Sequence, residues 1–145
     1  MIRFAPLAIL LSAPTLLAAP VPKELKANGS TVGTWMLVRP DAQNPGQFVP
    51  GNQYWIIDAE CGVIFGATPT PAAAAKPSEI FKMDPATKEV DHFTPGNATR
   101  SYMGMYELKG DELTICLNLG GQIRPKTLQD PGLTTWHLRR VKGTK

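Results

Sequence analysis

Prolines and glycines recur along this chain, fourteen of one and thirteen of the other in 145 residues, and they cut it into pieces too short for long helices. Between these breaks lie runs rich in aromatic and β-branched residues, many with alternating apolar and polar positions. Such runs read as strands. They are GTWMLVR at 33–39, QYWIIDA at 53–59, GVIFGA at 62–67, EIFKM at 79–83, EVDHF at 89–93, YMGMYEL at 102–108, ELTICLNL at 112–119 and TTWHLRRV at 134–141. The sequence therefore predicts an all-β fold: a single antiparallel barrel or sandwich of about eight short strands. Closure into a barrel is favoured because it leaves no exposed edge. The low-complexity piece ATPTPAAAAKP, residues 67–77, is expected to be an extended surface loop, because its prolines oppose a helix.

The stretch GMYELKGDELTICL, residues 104–117, reads as a hairpin. With Lys109 and Gly110 at its tip, Tyr106 faces Leu113 across the two strands. Alternation then sets Tyr106, Leu108, Leu113, Ile115 and Leu117 on a core face, and Met103, Met105, Glu107, Glu112, Thr114 and Cys116 on a mixed one. Asp111 is expected to bond the backbone of the turn.

The first twenty residues carry one positive charge, Arg3, then an apolar run and small residues at Ala18 and Ala19. That order is the layout of a secretory signal. The run is interrupted by Pro6 and Pro14 and is short of the roughly 20 apolar residues a spanning helix needs. The expected organisation is a signal peptide over 1–18, a lead-in over 19–30 and a β-barrel domain over 31–145. It implies an exported protein, periplasmic or extracellular, soluble after cleavage and with no membrane span in the mature chain. Beyond residue 18 about 125 residues remain, enough for one domain with one core. The whole chain carries a formal net charge of +3, and the only basic cluster is RRVKGTK at 139–145. Without interleaved aromatics, that cluster gives no footprint for nucleic acid.

No residue pattern announces catalysis. His92 and His137 are the only histidines, far apart and without a paired metal-ligand spacing. Ser30, Ser78 and Ser101 stand in no nucleophile motif, and no glycine-rich phosphate loop opens a helix. No cofactor and no metal is expected. Cys61 and Cys116 are the only cysteines, and an oxidising compartment could join them. The hairpin places Cys116 in mid-strand beside methionines, while Cys61 sits at a turn, and no feature brings the two together. Two free thiols are expected.

From residue 104 onward the chain resembles a domain family of exported planctomycete proteins that has no assigned activity. The resemblance rests on Gly104, Tyr106, Leu108, Gly110, Asp111, Leu113, Cys116, Arg124 and Pro125 in order, with a closing strand containing LRR. It extends upstream to Gly33-Thr34-Trp35 and to FKMDPATKEVDHF at 81–93, and it is weaker across 40–77. The family has a cysteine at the Cys116 position without a regular partner at Cys61. Its pattern is similar to that of small lipocalin-like β-barrels, in which Gly-x-Trp stands on the first strand. The resemblance implies a fold and an export route.

Trp35, Tyr54, Trp55, Phe65, Phe81, Phe93, Tyr106 and Trp136 admit two readings. They fill the barrel as core, or some of them line an internal or mouth-lining pocket for a small apolar ligand. Arg124 likewise either closes one barrel end over Trp35, as in lipocalin-like barrels, or makes an exposed anion contact. The sequence reading is an exported, non-enzymatic binding module for a small apolar molecule or an envelope partner, with Trp35, Tyr54, Trp55, Tyr106, Arg124 and Trp136 as candidate ligand-binding residues. Its rival is a structural or protein-interaction domain with a filled barrel.

Overall fold

A computed structural model describes residues 30–121 and 123–143. The expected signal segment and nearly all of the lead-in lie outside them. Eight strands follow one another: β1 (Gly33–Pro40), β2 (Phe48–Ile57), β3 (Gly62–Gly66), β4 (Glu79–Met83), β5 (Glu89–Phe93), β6 (Tyr102–Lys109), β7 (Glu112–Asn118) and β8 (Thr134–Arg140). Each pairs antiparallel with its sequence neighbour, and β8 returns to β1, so the sheet closes into a barrel in the up-and-down order of lipocalin-like proteins. The expected eight-stranded antiparallel barrel is the fold. No helix of the described residues is long and apolar enough to cross a membrane.

Only β2 departs strongly from its expected bounds, starting at Phe48 rather than Gln53. Pro50 and Gly51 read in the sequence as a break, yet both sit inside the strand at an irregularity. Pairing jumps there from Met36 with Tyr54 to Val38 with Pro50. Proline is tolerated where the ladder is already interrupted. Gly51 belongs there because a Cβ would lie 2.6 Å from the Leu37 carbonyl oxygen.

The hairpin register also differs from expectation. Lys109 pairs with Glu112 and Tyr106 with Ile115, so the two-residue tip is Gly110-Asp111, with Gly110 at φ 59°. A slip of two residues leaves every side chain on its expected face, because the side-chain period is two. The Asp111 carboxylate does not bond the turn backbone as expected. It forms ion pairs instead, at 3.5 Å with Arg140 and at 3.5 Å with Lys142. Other aspartates do the turn-bonding: Asp41, Asp84 and Asp130 each accept nearby backbone N–H groups, and their carboxyls are held below the usual range first by side-chain bonds from Asn44 to Asp41 and Thr127 to Asp130 and by the backbone bonds at Asp84. Residues 67–77 are bends and a single turn, without helix.

Alternation drives the inward residues into one cluster containing Trp35, Trp55, Ile57, Val63, Phe81, Val90, Tyr106, Leu113, Ile115, Leu117 and Leu138. The end carrying the short β2–β3, β4–β5 and β6–β7 turns has Arg140 lying over Trp35. The opposite end carries the longer connections, residues 41–47, 67–78, 94–101 and 119–133. That end is open.

Candidate ligand-binding cup at the open end of the barrel

An inward position towards the open end has core on one side and solvent on the other. Ten residues converge on a cavity of about 250 Å³: Gln53 and Trp55 from the middle and later part of β2, Phe65 from β3, Glu79 and Phe81 from β4, His92 from β5, Tyr102 from β6, Leu117 and, just beyond, Leu119 from β7, and Trp136 from β8. Seven strands contribute, so the cup exists only once the barrel closes.

Its wall is a run of touching rings. Trp55 meets Phe65 edge-on with centroids 5.0 Å apart, and lies 5.6 Å from both Phe81 and Trp136. Phe81 meets His92 edge-on at 5.0 Å, and His92 stacks on Tyr102 at 5.3 Å with 30° between planes. Edge-to-face and offset contacts of this kind are the favoured ones between rings. They fix the cup's shape through neighbours rather than through the loops above it.

Set into this wall is one polar pair. His92 Nε2 lies 2.5 Å from Glu79 Oε2, and the register that pairs Phe81 with His92 brings the two strands alongside each other. His92 is 7% exposed, whereas the Glu79 side chain is about a third exposed at 31%. An ionised carboxylate accepts from Nε2–H, which leaves Nδ1 as an acceptor in the neutral imidazole and as a second donor in the imidazolium. Nδ1 is buried without a partner, as is the Trp55 indole Nε1. Buried polar atoms are nearly always paired, and of three such orphans among the described residues two stand in the wall of this cup, the third being Arg100 Nε. The lining contains no lysine, arginine, serine, threonine or cysteine. Among the described residues no group of three or more His, Cys, Asp and Glu side chains is placed to hold a metal ion.

Of the six sequence candidates, the structure brings Trp55 and Trp136 together in the cup. Trp35 and Tyr106 lie within the packed interior, both almost fully buried. Tyr54 alternates with inward Trp55 and so projects from the outer wall, half-buried. Arg124 is on the outer wall too, where Nη1 donates to the carbonyls of Val90 (3.1 Å) and Gly104 (2.8 Å) and Nη2 to Asp91 (2.6 Å). It does not cover Trp35. Arg140 does, with its guanidinium carbon 4.1 Å from the ring centroid, because β8 pairs with β1 and sets Arg140 opposite Trp35.

The sequence reading passed over Glu79, His92 and Tyr102. A signal was present, since alternation puts Glu79 on the face of Phe81 and His92 on the face of Val90, making both inward polar residues. Three further hollows lie among the described residues: a crevice of about 40 Å³ under Phe48 beside His137, a hollow of about 250 Å³ bordered by Cys61, Lys82 and Asp91, and an open depression of about 520 Å³ along Asn52, Gly66 and Ala67 that shares Gln53 and Phe65 with the cup. Comparison of the chain with protein-family models gives no match, and comparison with curated proteins gives none.

Proposed function

We propose that this chain is an exported, non-catalytic binding module that holds a small, mainly apolar molecule in the open end of its barrel. One observation carries the reading: an aromatic-lined cavity of about 250 Å³ stands at the open end of the barrel, above a buried apolar core. A concave, mostly apolar hollow with few polar groups is the usual form of a small-molecule site. Its volume falls below the roughly 300–1,000 Å³ of drug-sized pockets, which sets the ligand class as small. The packed half favours the rival reading, a structural domain with a filled barrel. The open half argues against it.

Export is part of the same proposal and rests on the charge, apolar run and small residues of positions 1–19 and on the resemblance to exported planctomycete proteins. An envelope location would present the cup to small molecules or partners there. N-terminal sequencing of the exported protein is expected to begin near Ala19, and recovery of Met1 or Ile2 would refute the cleavage.

Native mass spectrometry of the protein purified from its own host tests the binding reading. A co-purifying small molecule that is lost on denaturation supports it. An apo mass, together with tryptophan emission unchanged by a panel of small apolar and amphipathic compounds, overturns it.

A further inference from the structure

We propose that the cup selects small organic cations, an ammonium group borne on a compact apolar body, over neutral or anionic molecules of the same shape. The inference rests on reading the cup as a ligand site and adds the charge class of the ligand.

Three features of the lining point the same way. Phe65, Phe81, Tyr102, Trp55 and Trp136 surround the cavity, and the faces of such rings carry the negative part of their quadrupole, which attracts cations. Glu79 supplies the only carboxylate of the lining. The described residues give its carboxylate one partner, His92 Nε2, so lone-pair capacity remains on a side chain partly open to the mouth. Finally, the lining supplies no Lys or Arg that would compete for Glu79 or repel a cation. Lys82, the lysine nearest in sequence on β4, alternates to the outer wall and lies 4.8 Å from the Phe93 ring centroid. An anionic ligand would meet a carboxylate with no counter-charge. A neutral ligand would gain the walls but nothing from Glu79.

The pairing with His92 matters to this selectivity. It fixes Glu79 at the wall, so the carboxylate is already oriented when a ligand arrives and less conformational entropy is lost on binding.

A charge series on one body tests the proposal. Binding of 2-phenylethylammonium, 2-phenylethanol and phenylacetate is measured at about pH 8 by tryptophan emission and calorimetry on the signal-free protein. The cation is expected to bind about tenfold or more tightly than the alcohol, in line with desolvated cation–ring attraction plus a carboxylate contact. Phenylacetate should bind most weakly. Glu79→Gln should weaken the cation about tenfold and leave the alcohol unchanged, and the wild-type series stands by itself should that variant misfold. If the alcohol or phenylacetate binds as tightly as the ammonium, the charge assignment falls while the cup remains a binding site. If none of the three binds, the charge assignment falls again, and the panel and host-purified mass measurements then decide whether the binding reading falls with it.

Discussion

Arg140 lays its guanidinium over the ring of Trp35, 4.1 Å from the centroid, and seals the end of the barrel opposite the cup. The contact joins the last strand to the first. From the same position Arg140 donates to the carbonyls of Val32 at 3.0 Å and Ser30 at 2.5 Å, tying the chain entering β1 to β8. Arg140→Ala is expected to destabilise the protein by about 2–4 kcal/mol, combining a partly desolvated cation–ring contact with charge-assisted hydrogen bonds. Arg140→Lys should recover only part of this, since an ammonium cannot both stack and fork. Urea midpoints measure it, and an Arg140→Ala midpoint matching wild type would show that the barrel closes without the seal.

Gly104 shows where two strands come too close for any side chain. A Cβ there would lie 1.9 Å from the Cys116 carbonyl oxygen and 2.6 Å from Leu117 Cδ2. Arg124 bonds the Gly104 carbonyl from outside, holding that approach in place. Gly104→Ala must therefore push β6 from β7 and is expected to cost about 2 kcal/mol or more, at the upper end of overpacking effects. Unchanged thermal stability would mean that the strands separate there easily.

Tyr106 is 4% exposed at the centre of the packed half, and burial is the main cause pushing its phenol above the usual value. Tyr106→Ala should cost roughly 3–5 kcal/mol, the range for large aromatic truncations in a packed interior. An unaltered denaturation midpoint would place the hairpin inside out.

Much of this was legible in the sequence, and the lapses share a cause. Strand positions follow from local alternation and punctuation, so seven of the eight expected strands begin where the structure begins them. The exception, β2, was misread at Pro50 and Gly51 because whether a proline ends a strand depends on a neighbouring bulge. Likewise, Trp35 asked for an arginine across the barrel end, and the chain offers several. Only the closure of β8 on β1 distinguishes Arg140 from Arg124. The cup was hidden for the same reason, since Glu79 and His92 become neighbours through strand register and the other lining residues through closure.

Both thiols are free in the structure. Cys116 is wholly buried beneath the 119–133 connection, with Sγ 3.2 Å from Thr135 Oγ1 and 3.5 Å from the Leu128 carbonyl oxygen, and burial pushes its thiol up. Cys61 is half-buried at the β2–β3 turn. Alkylation of the native, unreduced protein near neutral pH should add one group, at Cys61, and a second only after unfolding. Absence of any adduct until reduction would reveal a disulfide.

His137 is the group from which a pH dependence is expected. It lies on the outer wall under Phe48, with ring centroids 4.6 Å apart and Nδ1 3.3 Å from Thr114 Oγ1; Glu112 and Arg139 border the same crevice. Burial lowers its pKa below the ordinary 6.5, and the opposing pull of Glu112 is the smaller effect. The unfolded chain then binds the proton more readily than the folded one. This stabilising contribution is present above about pH 6.5 and is lost as pH falls through that value towards the lower folded-state pKa. Carboxylates also begin to titrate towards pH 5, so the comparison must be with a variant rather than with pH alone. The urea midpoint of wild type should fall between about pH 7.5 and pH 5, and His137→Gln should flatten part of that fall. Identical slopes in the two proteins would assign the pH dependence to other groups and remove His137 as its source.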